Sequence, residues 1–261
     1  MGIKFEMDGN LAIVTFDNPP LNLLGNSAFA GFEEGMELAV KNKARALLTL
    51  ATGEHFCGGA HVTENFLNKD GNDGRRMLNR SYLLTQRFEK LPFPTVVAVR
   101  GMCLGGGLEL AQIHDIIWAG ESAQFGQVEA RIGTATLLGG GPRLVQRIGL
   151  TRAKEMVFSA SPYPAKTMLE WGLINRILPD SEVEAKARSY AKQLSEGPTI
   201  AHAVNKAIVN ASAASGLSAA DDMTIALAPA TFDTNDMKSA VNRVQEKGIE
   251  SLFKGMTFSG T

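Results

Sequence analysis

Residues 95–127 read TVVAVRGMCLGGGLELAQIHDIIWAGESAQFGQ, and this stretch decides the fold. Its first five residues are all apolar or β-branched, which predicts a buried strand at 95–99. The glycine run at 105–107 predicts a turn at which a helix begins. The first turn of a helix leaves backbone N–H groups unpaired and carries partial positive charge. The turn can therefore stabilise an oxygen that gains negative charge during a reaction. The carboxylate of Glu109, two residues further on, is close enough to transfer a proton.

The composition indicates a globular protein with a substantial core. The chain has 261 residues, of which 44% are hydrophobic and 20% charged, and its net charge is −1. This charge gives no support for nucleic-acid binding. Two cysteines are too few for a disulfide framework, and the charged N-terminal segment is unlike a signal peptide. No apolar run reaches the length of a membrane span. We expect a cytoplasmic protein without nucleic-acid or membrane partners.

The remaining chain predicts alternating strands and helices, followed by helices alone. Strands are predicted at residues 3–7, 11–16, 46–50, 95–99, 116–119 and 173–178, with a hairpin turn at 8–10. Helices are predicted at 29–40, 75–90, 142–148, 164–172, 182–196, 199–210, 218–227 and 235–247. We therefore divide the chain into a mixed core, residues 1–180, and a helical region, residues 181–261. The helical region is expected to pack on the core and on neighbouring subunits.

Local sequence signals also predict two helix caps and one exposed loop. Asn26 or Ser27 is suited to cap the first long helix. Residues 68–74 are polar and contain glycine, which predicts an exposed and mobile loop. The spacing of Ser181 and Glu184 is that of a capping box at the start of the helical region.

Two glycine turns and two carboxylates are the candidate catalytic groups. The turns lie at residues 57–60 and 104–107, and the carboxylates are Glu109 and Glu129. Two N–H groups from separate turns can converge on one carbonyl oxygen and form an oxyanion hole. Glycines also mark tight turns without any function, and either glutamate could be a solvated surface residue. Dinucleotide-binding, Walker A, zinc-protease, nucleophile-elbow and CxxC motifs are absent from the sequence, and the four histidines are scattered, so no metal site is expected.

At these residues the chain resembles the enoyl-CoA hydratase/isomerase (crotonase) family. The resemblance is carried by AVRGMCLGGGLEL at 98–110, AQFGQVE at 123–129 and GGGPRL at 139–144. The turns NPPLN at 18–22 and FCGGA at 56–60 also match. The matching motifs run in register from about residue 4 to residue 179.

The resemblance implies the fold and the substrate class. The fold would be α/β, a crotonase-like spiral of ββα units with a C-terminal helical region that builds homotrimers or dimers of trimers. The substrate would be an acyl-CoA thioester of fatty acid or lipid metabolism. No metal or redox cofactor is implied, because coenzyme A is part of the substrate.

The resemblance also implies residue roles. The backbone N–H groups of Gly58 and Gly106 would hold the thioester oxygen. Glu109 would act as the base toward water, and Glu129 would deliver a proton to the α-carbon of a 2-enoyl-CoA. Isomerisation, decarboxylation and an inactive acyl-CoA-binding protein remain alternatives. Further contacts to the substrate or to CoA are expected at Asn22, Cys57, Ala60, His61, Val62, Gly105 and Gly133.

The sequence departs from the family pattern in three places. His61 stands where an aspartate usually supports the first turn, so His61 either alters that turn or adds a polar group beside the acyl chain. Asn18 and Pro20 replace a basic residue near the CoA phosphates. Arg75, Arg76 or Arg80 could compensate, with a solvated face as the more common explanation for such charges. Thr136, Leu137 and Leu138 replace a proline and small residues, which predicts a narrower acyl pocket. Cys57 and Cys103 beside the turns are interpreted as small buried hydrophobes, with a nucleophilic role as the alternative.

Overall fold

A six-stranded sheet forms the centre of the computed structural model, which describes residues 2–261. The nine strands of the fold are β1 (Ile3–Asp8), β2 (Leu11–Phe16), β3 (Ala46–Ala51), β4 (Thr95–Val99), β5 (Met102–Leu104), β6 (Ile116–Gly120), β7 (Gln124–Gly126), β8 (Tyr163–Pro164) and β9 (Arg176–Leu178). The central sheet has the order β1-β2-β3-β4-β6-β9. β1 and β2 pair antiparallel, as the predicted hairpin requires, and the other pairs are parallel.

Both faces of the central sheet are covered, which explains its continuous apolar strands. Along β2, Val14 and Phe16 enter one buried cluster, whereas Leu11 and Ile13 enter another on the opposite face. Successive side chains of a strand point to opposite faces, so a strand covered on both sides has few polar positions. Parallel strands with helical connections typically show this pattern.

The helices follow the strands and then continue alone to the C-terminus. They are α1 (Asn26–Lys41), α2 (Val62–Phe66), α3 (Gly71–Glu89), α4 (Gly106–Gln112), α5 (Gly140–Ile148), α6 (Leu150–Ser159), α7 (Ala165–Trp171), α8 (Val183–Ser195), α9 (Thr199–Ser215), α10 (Leu217–Leu227) and α11 (Asn235–Lys247). Short 3-10 turns occur at Glu129–Ile132, Ala228–Asp233 and Ile249–Phe253. Every predicted helix is present, although several boundaries differ. α2 and α6 were not predicted.

A second, three-stranded sheet brings the two halves of the site together. Its order is β5-β7-β8, and β5 pairs parallel with β7. β5 leads into α4, which carries Glu109, and β7 precedes the 3-10 turn that begins with Glu129. The pairing therefore positions the two carboxylates, although the short strands gave no sequence signal.

The predicted loop at residues 68–74 is wrong in its second half, because α3 already begins at Gly71. Asp70 caps the helix, and its side chain accepts hydrogen bonds from the N–H groups of Asn72 and Asp73 at 2.8 and 2.9 Å. Asp73 returns the bond by accepting from the N–H of Asp70 at 3.1 Å. This reciprocal capping box uses aspartate where glutamate or glutamine is the usual signal.

Two other predicted caps are also wrong. The N-cap of α1 is Gly25, and the carboxylate of Glu64 from α2 accepts the N–H of Asn26 at 2.8 Å. The N-cap of α8 is Glu182, without a side-chain hydrogen bond. Glu184 instead accepts a hydrogen bond from Nε of Arg100 at 3.0 Å, because that guanidinium lies beside the first turn of α8. At the start of both helices, contacts with residues distant in sequence thus take the place of the predicted local caps.

Of the C-terminal helices, α8 packs on the central sheet, whereas the later helices expose large apolar side chains. Val183, Ala187 and Ala191 of α8 are buried against the central sheet. Beyond α8 several large apolar side chains are exposed, among them Leu217 and Ile225. Within residues 2–261, no helix combines the length and apolar character needed to cross a membrane.

Candidate active site

The first glycine turn is held by backbone hydrogen bonds to the segment before α1. Gly59 accepts from the N–H of Leu24 at 2.8 Å, and Leu24 accepts from the N–H of His61 at 2.9 Å. The N–H of Gly58 donates to the carbonyl of Leu21 at 2.7 Å. The prediction that Gly58 supplies an oxyanion-hole donor is therefore wrong, because this N–H already has an acceptor.

The N–H groups of Ala60 and Gly106 remain for a ligand. Neither donates to an acceptor anywhere in the described part of the chain, residues 2–261. A β-carbon built on Gly106 would lie 3.9 Å from the nitrogen of Ala60, so the two turns are direct neighbours. Gly106 is also the first residue of α4, where the helix leaves N–H groups unpaired. One N–H from each turn can thus reach a shared oxygen.

Gly107 allows the second turn to approach the first. A β-carbon at Gly107 would lie 2.6 Å from the carbonyl oxygen and 2.9 Å from Sγ of Cys57. Cys57 is completely buried, and burial raises the pKa of its thiol to about 12. Cys57 is thus a small buried side chain, and both the nucleophilic alternative and its predicted ligand contact are wrong.

Glu109 is a buried carboxylate bound by backbone donors. Only 2% of its surface is exposed. Oε1 accepts from the N–H groups of Leu138 and Gly140 at 2.9 and 2.7 Å, and Oε2 accepts more weakly from the N–H of Leu137 at 3.3 Å. Burial raises the pKa of Glu109, while these donors and the charge of Arg143 act against that rise. The surface alternative for Glu109 is therefore excluded.

Glu129 faces the same space in surroundings that favour its neutral form. Burial, followed by the negative charge of Glu109, raises the pKa of Glu129 to about 8. The amide of Gln127 satisfies its neighbours when its nitrogen points to Glu129, whose Oε1 and Oε2 are 2.9 and 3.0 Å away. In that orientation the oxygen of Gln127 accepts from Nε2 of Gln112 at 3.2 Å. A row of buried amides therefore fixes the Glu129 carboxyl.

Both carboxyl groups line one cavity of about 240 Å³. The backbone of the two glycine turns forms one side, and largely apolar side chains from α1, α2, α3, the 3-10 turn around Glu129 and the segment before α5 form the rest. The structure brings together several predicted site residues at this wall: Gly58, Ala60, Val62, Gly105, Gly106, Glu109 and Glu129. Leu137 and Leu138, which we expected to narrow the pocket, also line it.

The other predicted contacts lie outside the cavity wall. The buried amide of Asn22 donates to the carbonyls of Thr52 and His55 at 2.9 and 2.8 Å, so Asn22 holds the N-terminal turn and its predicted ligand contact is wrong. Gly133 is exposed, at the end of the 3-10 turn after Glu129. Neither residue lines the 240 Å³ cavity.

His61 takes over support of the first turn rather than lining the acyl pocket. Its Nδ1 accepts the N–H of Glu64 at 3.3 Å and caps α2. A polar group accepting at this N-cap position is what an aspartate would also supply. The structure thus places His61 at the N-cap of α2, between two residues of the cavity wall, and His61 itself does not line the cavity.

The comparisons with known proteins identify the family. The model of the enoyl-CoA hydratase/isomerase family matches residues 6–254. The chain belongs to this family. It is 29% identical over 262 residues to the short-chain-enoyl-CoA hydratase of Clostridium acetobutylicum, covering 97% of each chain. It is 29% identical over 248 residues to the mitochondrial enoyl-CoA hydratase of Pongo abelii, covering 94% of this chain and 84% of the relative.

A solved structure shows the same crotonase fold. The enoyl-CoA hydratase of Bacillus anthracis superimposes with a TM-score of 0.90 over the full length of both chains, at 23% identity. The predicted α/β crotonase fold is confirmed. In this family member, no group of three or more histidine, cysteine, aspartate or glutamate side chains suited to a metal ion occurs within residues 2–261.

Sequence reasoning missed three residues that shape the site. Leu24 anchors the first turn, but a bridge between distant segments leaves no local signal. Gln127 precedes Glu129 by two positions, a spacing that can place two side chains on one side of an extended chain. Gln112 lies three residues after Glu109 on α4, a spacing that places both on one helix face.

Proposed function

We propose that this protein is an enoyl-CoA hydratase, which adds water across the 2,3-double bond of a 2-enoyl-CoA thioester. The observation that supports this reaction is the pair of carboxyl groups in one cavity with different environments. Burial raises the pKa of both groups, but three backbone N–H donors stabilise the ionised form of Glu109, whereas the negative charge of Glu109 raises the pKa of Glu129 further, to about 8. One base and one acid are what hydration requires.

The oxyanion hole in this proposal consists of the N–H groups of Ala60 and Gly106. They bind the thioester oxygen and stabilise the negative charge that develops there as the enolate forms. Each such donor typically contributes about 3 kcal/mol to lowering the barrier. Polarisation of the thioester makes the β-carbon electrophilic, so that water can attack it.

Proton movement in this mechanism is divided between the two glutamates. Glu109 accepts a proton from the water whose oxygen forms the new bond to the β-carbon. Among backbone donors, Oε2 of Glu109 accepts only the long contact from the N–H of Leu137, so it retains capacity to bind that water. Glu129 donates its proton to the α-carbon. The proton taken up by Glu109 then passes to Glu129, which restores the pair, so that the net reaction adds H and OH from one water molecule. Proton transfer alone completes this cycle, so the proposed reaction needs no metal or redox cofactor.

Double-bond isomerisation is the closest alternative reaction, and substrate choice distinguishes it. An isomerase would convert 3-butenoyl-CoA into its conjugated isomer and leave crotonyl-CoA unhydrated. The hydratase proposal expects purified enzyme to remove the ultraviolet absorbance of crotonyl-CoA and to form 3-hydroxybutyryl-CoA. Faster turnover of 3-butenoyl-CoA, without any hydroxyacyl product, would contradict it. Acyl-CoA decarboxylation would release carbon dioxide from a carboxyacyl substrate, and tight binding without turnover would indicate an inactive member.

We further propose that the protein assembles as a homotrimer or a dimer of trimers through its C-terminal helices. This proposal is supported by large apolar side chains that remain exposed there, including Leu217, Ile225 and Phe253, which are 73%, 75% and 85% exposed. α9 buries none of its residues completely despite its 17-residue length. An isolated helix face of this kind normally requires a partner.

A further inference from the structure

A second cavity adjoins the catalytic cavity and differs from it in polarity. It has a volume of about 290 Å³ and lies between the start of α1, α2 and α3. The two cavities share Phe29, Asn65, Met77 and Ser81 in their walls. The catalytic cavity is walled mainly by apolar side chains, whereas five charged side chains surround the second. An acyl chain that extends past the shared wall would therefore meet a polar chamber.

The acidic side chains of the second cavity already have partners. Oε1 of Glu64 accepts the N–H of Asn26 at 2.8 Å. The carboxylate of Asp73 accepts the N–H of Asp70 at 3.1 Å and pairs with Arg76 at 2.6 Å. Helix N-termini thus stabilise both negative charges. The lining contains these two carboxylates and three cations, Lys69, Arg76 and Arg80, so it has a net charge of +1.

Within residues 2–261, two cations of this cavity have no close carboxylate partner, so they are the groups that can bind an anionic ligand. Lys69 forms no ion pair within residues 2–261. Arg80 approaches Glu33 only at 3.5 Å, and Arg87 binds the same carboxylate more closely, at 2.9 Å. The exposed contact between Arg80 and Glu33 is weak and exchanges readily for another anion. The chamber therefore offers an ammonium and a guanidinium group to an anionic ligand.

From this arrangement we infer that the acyl group ends in a carboxylate, which Lys69 and Arg80 bind in the second cavity. The preferred substrate class is the 2-enoyl-CoA thioester of a dicarboxylic acid. Its apolar middle segment passes the shared wall at Met77 and Ser81. This inference rests on the proposed hydratase function and specifies the substrate of the same site. A planar guanidinium suits a carboxylate especially well, because it can donate two parallel hydrogen bonds.

The test compares pairs of 2-enoyl-CoA thioesters of equal chain length, one ending in a methyl group and one in a carboxylate. Hydration is measured as kcat/KM for each pair over increasing chain lengths. We expect the carboxylate member to be favoured at least about tenfold at one chain length, the effect of one charge-assisted contact. Lys69→Gln and Arg80→Gln together should abolish that preference and raise KM for the carboxylate substrate.

Lys90→Gln is the matched control, because Lys90 directly follows α3, is exposed and does not line the chamber. It should retain the carboxylate preference. The inference would be overturned if the wild type preferred the methyl-ended member at every chain length. It would also be overturned if the double variant kept the carboxylate preference of the wild type. Crotonyl-CoA separates the two proposals, because it has no distal carboxylate. Hydration of crotonyl-CoA without carboxylate preference contradicts only this inference, whereas no hydration of any substrate contradicts the proposed function.

Discussion

Burial raises the pKa of both Glu109 and Glu129, but their neighbours stabilise the ionised forms of the two groups unequally. Glu109 accepts three backbone N–H groups at the start of α5. Glu129 has the Gln127 amide as its side-chain donor and experiences the negative charge of Glu109. Hydrogen bonds to a carboxylate stabilise its charge, and a neighbouring negative charge has the opposite effect. The pair therefore provides a base and an acid at the same pH.

The raised pKa of Glu129 predicts an alkaline limit of activity. Because Glu129 must be protonated to act as the acid, its deprotonation above about pH 8 removes the active form. We expect kcat/KM for crotonyl-CoA to fall about tenfold per pH unit above that limit, measured from pH 6 to about pH 10. A rate that is constant across this range would contradict the acid role of Glu129.

Gln127→Leu should move the alkaline limit of activity to higher pH. The amide of Gln127 donates to the Glu129 carboxyl and therefore favours its ionised form. Its removal raises the pKa of Glu129 further, so the alkaline limb should shift to higher pH. A purely structural role of Gln127 would lower the rate without shifting the limb.

At the scale of elements, the start of α5 decides the position of Glu109. A β-carbon on Gly140 would lie 2.5 Å from the side-chain amide of Gln127, and 2.7 and 2.9 Å from Cγ and Oε1 of Glu109. One on Gly141 would lie 3.2 Å from Oγ1 of Thr136, at the end of a short side chain. Two adjacent glycines thus differ in their importance for the site. The glycine cluster was visible in the sequence, but only the fold shows which member touches the carboxylate.

Gly140→Ala should therefore displace Glu109, and Gly141→Ala is its control. Overpacking of this kind costs about 1–3 kcal/mol of stability. We expect Gly140→Ala to lower kcat at least about a hundredfold, because small misplacements of a catalytic group have effects of this size. Gly141→Ala should remain within about threefold of the wild type. Equal effects of the two substitutions on kcat would be inconsistent with this account.

The caps of the helices show where local sequence signals fail. The Ser181 signal is present in the sequence, yet α8 begins without it, because Arg100 binds Glu184 from the core. The box that does form involves Asp70 and Asp73 in a segment predicted to be a loop. Aspartate at the third helical position is a weaker sequence signal than glutamate, so the polar composition dominated the prediction.

These caps provide a prediction about stability. Asp70→Ala removes a cap and should lower the free energy of unfolding by about 1 kcal/mol. Ser181→Ala, which removes only the unused signal, should change it by less than about 0.5 kcal/mol. Denaturant unfolding of both variants provides the comparison. A larger loss for Ser181→Ala than for Asp70→Ala would contradict the assigned caps.

For the whole molecule, the central strands and helices were predictable because they are long and strongly patterned. β4 and α11 have the predicted boundaries. The geometry of the site could not be predicted in the same way, because its parts meet through short strands and isolated β-bridges. β5 and β7 contain three residues each, and Leu24 bridges to Ala60 across more than thirty positions of sequence. The sequence therefore indicated both turns, whereas the resemblance placed the first donor at Gly58, whose N–H is already bound to the carbonyl of Leu21.

The exposed apolar side chains of the C-terminal helices predict self-association. Leu217→Asp combined with Ile225→Asp should convert the trimer or hexamer into monomers, because two charges would then have to be buried in the interface. Light scattering after size exclusion measures the mass. Val40→Asp on α1, where Val40 is 52% exposed, is the matched control and should keep the assembly intact. A monomeric wild-type protein would contradict the proposed assembly.

The most direct test of the proposed chemistry is the loss of crotonyl-CoA absorbance, measured for the wild type, Glu109→Gln and Glu129→Gln side by side. Glutamine keeps the shape of each side chain but can neither accept nor deliver the proton. We predict rapid hydration by the wild type and a loss of at least about a thousandfold in kcat for either variant, with crotonyl-CoA binding nearly unchanged. Full hydration by either variant would contradict the acid–base pair on which the account rests.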